Sequence, residues 1–207
     1  MNINDTLTET TVPSKKYKVI YADPPWDIQQ KGARGAAQHY DLMTLDRIKN
    51  IPVADLADDD ATLLLWVTNG ALPAGLEVMK AWGFEYKTNA AWDKYYMGLG
   101  QFFRGSHELL LHGTRGKPTP WKFRGQRSTL QFPRQEHSRK PEEMIPLIER
   151  VLDGPYLELF ARQRPNSHRD WSVWGNEIES DIVVPGYPVP SDFTRSQIGT
   201  FSGEQER

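Results

Sequence analysis

The sequence predicts an α/β domain, a largely parallel sheet with helices on both faces. Short apolar runs at residues 18–22, 62–68 and 156–161, each bounded by turn residues, read as buried strands. Stretches near 69–82 and 141–152 carry apolar residues at helical spacing. Strands and helices therefore alternate, the pattern of parallel strands joined by helical crossovers.

In chain order, residues 1–14 read as a disordered lead-in. The first strand, 18–22, stops at Pro24 and Pro25, neither of which can donate to a sheet ladder. The Gly/Ala/Gln-rich residues 29–38 form a loop, either a lid or a plain flexible connection. Thr44 is placed to cap a short helix through Lys49, with Leu45 and Ile48 on one face. After the strand at 62–68, Asn69 or Gly70 opens a helix that Gly83 closes. Residues 84–92 alternate and 108–113 (ELLLHG) are apolar, so both read as strands. No period runs through 115–140, and so long an irregular stretch in a compact domain is functional or disordered. Pro141 at a first helical position starts a helix to about residue 152, with Met144, Ile145, Ile148 and Val151 on one face. Strands at 156–161 and 171–174 complete a single domain over 15–177, and the polar, proline-dotted residues 178–207 read as a tail.

The 207 residues suffice for one full core. Mean hydropathy is −0.63, and no apolar stretch is long enough to span a bilayer. The polar opening lacks the basic and apolar regions of a secretory signal. Zero cysteines exclude disulfides, thiol catalysis and thiolate zinc sites, and fit a cytoplasmic protein. The five histidines show no metal-ligand spacing, so no metal is expected. Net charge is only −2, but between Arg104 and Lys140 nine cations face only Glu108 and Glu136. Trp121, Phe123 and Phe132 lie among them, so Trp121, Lys122 and Arg124 are candidates to hold phosphates and stack bases. The alternative is a solvated loop whose arginine stems cover apolar surface.

Asp23-Pro24-Pro25-Trp26 is the most informative motif. Each proline restricts itself and the residue before it, so a carboxylate and a large aromatic sit on a stiff turn after a buried strand. In open α/β sheets that edge carries the ligand crevice. Such a turn suits a flat, weakly basic amine. The exocyclic nitrogen of adenine or cytosine shares its lone pair with the ring. Two acceptors, Asp23 and the Pro24 carbonyl, would draw it toward tetrahedral geometry, and Trp26 offers a stacking face. A methyl sulfonium held in line would complete a transfer. Glu158 and Arg162 flank the strand 156–161; a carboxylate there can accept from ribose hydroxyls or form a structural ion pair with the arginine. There is no G-x-G-x-x-G loop, which disfavours a dinucleotide site.

These residues resemble the adenine-N6 methyltransferase family typified by the catalytic subunit of the eukaryotic messenger-RNA methyltransferase, a family with many bacterial and phage members. The resemblance covers about residues 17–177. It rests on residues 22–28, 50–53, 64–68 and 82–84, then on 107–110, 115–118, 138–141, 158–162 and 171–176. It implies a Rossmann-like fold in the permuted β-type order, catalytic motif first and cofactor strand last, with S-adenosylmethionine as methyl donor. By position, Asp23, Pro24, Pro25 and Trp26 would engage the adenine, with Asp23 also beside the donor. Lys140 would hold the donor's carboxylate, Glu158 and Arg162 its ribose region, and Asn176 its adenine region. Ser167 or His168 falls where the family contacts ribose. Tyr40 and Glu108 match substrate-side positions, and the loops carrying Lys31, Arg34, Trp121, Lys122 and Arg124 would stabilise a flipped base. The chain departs from the eukaryotic enzyme in having almost nothing before the first strand, one more residue in the turn after Arg162, and Glu177 in place of a neutral amide. So short a catalytic domain resembles bacterial and phage members and makes DNA the expected substrate. RNA, a non-catalytic nucleic-acid-binding role and a small-molecule amine substrate are the alternatives. The resemblance leaves a homodimer or a heteromeric subunit open.

Overall fold

The computed structural model describes residues 15–27, 42–98, 100, 102–117, 119–135 and 139–193. The expected lead-in at 1–14 and the 29–38 loop lie outside the described residues, as do Lys31, Arg34 and Tyr40.

Twelve elements follow one another: β1 (Tyr17–Ala22), α1 (Leu45–Lys49), α2 (Val53–Leu56), β2 (Ala57–Val67), a 3-10 turn (Asn69–Ala71) and α3 (Leu72–Ala81), then β3 (Glu85–Asp93), β4 (His107–Arg115), β5 (Thr129–Gln131), α4 (Met144–Val151), β6 (Tyr156–Leu159) and β7 (Trp171–Trp174). The strands form one seven-stranded sheet in the order β5-β3-β4-β2-β1-β6-β7. β1 is parallel to both β2 and β6, and β7 to β6. β4 runs antiparallel to β2 and β3, which makes the sheet mixed. This is the Rossmann-like α/β class, with β1 directly beside β6 although most of the chain separates them.

Alternation along β1 divides the core in two. Ile20 and Ala22 pack with Ile48, Val53, Leu56, Val78 and Met79 of α1–α3 on one face. Val19 and Tyr21 pack with Met144, Ile145, Ile148 and Val151 of α4 on the other. The Thr44 hydroxyl accepts from the Arg47 N–H and caps α1, and Gly83 closes the α3 turn at φ +83°. Among the described residues no helix is long and apolar enough to cross a membrane.

Four expectations change. The helix placed at Pro141 begins at Met144, because Pro141 and Glu142 first accept i+3 bonds from Met144 and Ile145. β2 starts five residues earlier than expected, through exposed acidic residues that hydropathy does not mark. Part of the irregular 115–140 stretch is β5, paired with β3. The tail expected from residue 178 is packed as far as it is described: Ile182, Val184 and Val189 are buried in the α1–α3 core.

Candidate active site

Parallel alignment puts the ends of β1, β2, β6 and β7 on one edge of the sheet, and antiparallel β4 brings its first residues to the same edge. Asp23 follows β1 there. Lys140, just ahead of α4, donates to Asp23 Oδ2 at 2.6 Å and lies 3.3 Å from Glu108 Oε2. The other oxygen of Glu108 accepts from Lys94, the residue after β3. Carboxylates and ammoniums thus alternate along the rim in the order Asp23, Lys140, Glu108, Lys94. Aromatic rings lie beneath: Lys140 Nζ is 5.6 Å from the Trp66 ring and Lys94 Nζ is 5.0 Å from the Trp92 ring, both within cation–π range. The Trp66 indole N–H is fixed by Tyr21 Oη at 2.8 Å.

The electrostatics follow from this order. Burial pushes the Asp23 carboxyl up; Lys140 opposes it, while Glu108 adds to it, and the result stays above the ordinary value. Burial also works against ionisation of Glu108, but Lys140 and Lys94 more than offset it, so Glu108 lies below its ordinary value. Lys140 is likewise disfavoured by burial, and Asp23 and Glu108 together raise it. Glu158 pairs in register with Tyr21. Burial, and then the neighbouring charge of Asp23, push its carboxyl up to about 8.

The motif's other residues build the turn. The Pro24 carbonyl accepts the Trp26 N–H at 2.9 Å, and the Pro25 carbonyl accepts from Met43 at 2.8 Å. The indole N–H of half-buried Trp26 donates to the Trp66 carbonyl at 3.1 Å. Trp26 therefore anchors the turn to the end of β2. Just after β6, Phe160 adopts a left-handed φ of +63° and turns the chain so that the Ala161 N–H reaches the Trp174 carbonyl at 2.9 Å. Gly175 makes this approach possible, because a Cβ there would stand 2.1 Å from the Ala161 carbonyl oxygen.

The cleft along this edge is lined by Asp23, Lys140, Glu158, Phe160, Arg162 and Asn166, among others. Four expected residues, Asp23, Lys140, Glu158 and Arg162, meet there, and Arg162 Nε is 2.9 Å from Glu177 Oε1. Ser167 does not line it: its hydroxyl donates to Glu149 of α4 and accepts the Arg169 N–H at 2.9 Å, tying the turn to that helix. His168 is exposed, and of the three residues Asn166, Ser167 and His168 only Asn166 lines the cleft. Asn176 is exposed just past β7, outside the lining. Lys122 is held at the opposite end of α4, donating to the Glu149 carbonyl at 3.1 Å and to Asp153 at 2.5 Å, whereas Lys140 and Ile145 at the helix start face the cleft. Trp121 packs edge-on against His112 at 5.6 Å, and Arg124 is exposed on the same loop. The basic aromatic loop is thus built onto the far end of α4, because Lys122 N–H is claimed by the Val151 carbonyl. Sequence reasoning gave no role to Asn166, Phe160 or Lys94. Only Lys94 had a readable signal, since it follows β3 directly and Glu108 is the second residue of the β4 strand paired with it.

The MT-A70 family model matches residues 17–177. The chain belongs to the MT-A70 family. The matched span is the one carrying the resemblance read from the motifs, and the observed α/β sheet is the fold that resemblance implied. Among relatives, the chain is 34% identical over 197 residues to the Type II methyltransferase M.MunI of a Mycoplasma species, covering 84% of this chain and 83% of that protein. It is 31% identical over 178 residues to the probable N(6)-adenosine-methyltransferase MT-A70-like of Oryza sativa subsp. japonica, covering 82% of this chain and 24% of the relative. To the human N(6)-adenosine-methyltransferase catalytic subunit METTL3 it is 30% identical over 173 residues, covering 79% and 28%. This MT-A70 domain therefore spans about a quarter of the rice and human relatives and most of M.MunI.

Proposed function

We propose that this chain transfers the methyl group of S-adenosylmethionine to N6 of adenine in DNA. The observation that carries the reading is Asp23, set on a proline-stiffened turn between the Lys140 ammonium and the Glu158 carboxyl at the edge where β1 and β6 end. The cleft fits an amino-acid-bearing nucleoside. Lys140 suits its carboxylate, Glu158 its hydroxyls, and Phe160 offers an apolar wall. When bound, S-adenosylmethionine supplies an electrophilic methyl group. The protein's part is to present the amine. Asp23 accepts a hydrogen bond from one N6–H, and the Pro24 carbonyl, which keeps a lone pair after bonding Trp26, accepts one from the other. Lys140 occupies Asp23 in this structure, so a carboxylate that draws the ammonium away also frees Asp23 for the amine. Glu108, ionised and bonded to Lys94, keeps Lys140 within reach of both positions. Similarity along most of a type II methyltransferase supports DNA; similarity to proteins named N(6)-adenosine-methyltransferases keeps RNA as the second reading.

The test uses matched DNA and RNA oligonucleotides with labelled donor, read by nucleoside mass spectrometry. N6-methyladenine should form in DNA. Asp23→Ala should lower the rate about a hundred- to a thousandfold, the scale of losing a preorganised hydrogen-bonding group at the reacting atom, with donor binding retained. Undiminished product from that variant would sink the assignment, and product in RNA alone would move the substrate.

A further inference from the structure

The three most exposed aromatic residues of the described chain, Phe103, Phe102 and Tyr96, stand together on one hairpin. Residues 94–106 join β3 to β4, and within them Tyr95, Tyr96, Met97, Phe102 and Phe103 are 58, 71, 78, 89 and 96% exposed. The stem is ordered by Lys94 N–H to Ser106 O at 2.9 Å and Gly98 N–H to Gly105 O at 2.7 Å. The two arms nearly touch: a Cβ on Gly98 would stand 2.9 Å from the Gly105 carbonyl oxygen, and one on Gly100 would stand 2.1 Å from that of Phe103. The result is a thin finger with rings on its outside. No acidic residue occurs between 94 and 107, and Arg104 stands exposed among the rings.

The finger rises from the rim of the site. Its stem begins at Lys94, which bonds Glu108, which in turn faces the Lys140–Asp23 pair. The stem is thus tied through three charged contacts to the residue proposed to hold the adenine, on the side of the rim that β3 and β4 form. Exposed rings with an exposed cation and no carboxylate match the faces of bases beside phosphates. We propose that the 94–106 hairpin is a base-stacking finger that engages the nucleotides flanking the target adenine. This rests on the adenine-methylation reading and adds to it the element that holds the strand beside the turned-out base.

The test is Phe102→Ala/Phe103→Ala in the full chain, with Phe102→Trp as the conservative variant. Oligonucleotide affinity is read by fluorescence anisotropy, donor affinity by calorimetry, and molar mass by light scattering. The double variant should bind the oligonucleotide roughly ten- to a hundredfold more weakly, the scale of losing stacked bases, with donor affinity and molar mass unchanged. Phe102→Trp should bind like the parent, and Arg104→Ala should flatten the salt dependence while the ring variants leave its slope intact. Unchanged oligonucleotide affinity in the double variant, or a fall in its molar mass that marks the finger as a subunit interface, would overturn the proposal. If the parent protein makes no N6-methyladenine, the functional reading fails. If the parent methylates and the double variant binds the oligonucleotide normally, the finger alone fails.

Discussion

Asp23, just past the end of β1, and Glu158, on neighbouring β6, line the same cleft, yet only Asp23 has Lys140 against it at 2.6 Å. Burial with Asp23 nearby holds the Glu158 pKa at about 8, above its ordinary 4.5, so the folded chain binds this proton more tightly than the unfolded chain does. The stability so gained is full below the unfolded value and is lost as pH rises through about 8. Donor-free protein should therefore melt at falling temperature between pH 5 and pH 8, by roughly 4–8 °C for about 2 kcal/mol. Glu158→Gln, neutral throughout, should flatten that slope in a calorimetric series. Hydroxyls that donate to Glu158 favour its ionised form, so donor affinity should weaken below pH 8 by up to about tenfold per unit. If Glu158→Gln keeps the parent's dependence, Glu158 is not the group that titrates.

At the scale of elements, the site is held by contacts at the ends of strands. α3 crosses β2 at Gly75, where a Cβ would stand 2.4 Å from Val67 Cγ1 and 3.2 Å from Leu111 Cδ1. The carbonyl of Trp66, one residue before Val67, holds the Trp26 indole. Gly75→Ala should therefore cost about 1–3 kcal/mol through overpacking and loosen the turn from Asp23 to Trp26 as well. Thermal melting reads the first effect, and a drop in methyl transfer with donor affinity intact reads the second. A variant as stable as the parent would show that α3 can shift without cost. Elements with strong local signals were legible: the apolar run of β1 ended by its prolines, the Thr44 cap, and the apolar face of α4. What escaped depended on partners distant in the chain. Nothing in ELLLHG states that β4 runs antiparallel, the three residues of β5 are a strand only because β3 lies beside them, and Lys122 is drawn from the cleft by carbonyls at the end of α4. In the site itself, Asp23, Lys140, Glu158 and Arg162 came together, while Ser167, drawn to Glu149, and exposed His168 and Asn176 stayed outside the lining.

Across the whole molecule, the stretch after β7 returns over the α1–α3 face and closes it. Asp181 accepts the Val173 N–H at 2.9 Å and pairs with Arg164 at 2.7 Å, Tyr187 donates to the Arg47 carbonyl at 2.8 Å, and Ile182, Val184 and Val189 complete the core. Scattered prolines and no period hid this in the sequence, because these residues satisfy the gaps of a surface made elsewhere rather than a helix or strand of their own. Each buried aliphatic contributes about 1.5–3 kcal/mol, so the three together are comparable with the whole stability of an ordinary domain, about 5–15 kcal/mol. Ile182→Ala should accordingly cost about 2–4 kcal/mol, and truncation after Glu177 should abolish cooperative unfolding and, with it, donor binding. Because the segment touches β7 through Val173 and α1 through Arg47, its loss should also weaken the edge that carries Arg162 and Glu177. Urea melts of the two variants, followed by tryptophan fluorescence, give the measurement. A truncated protein that melts at the parent's midpoint and binds the donor as well would show that the packed segment is an appendage and that the domain is complete at residue 177.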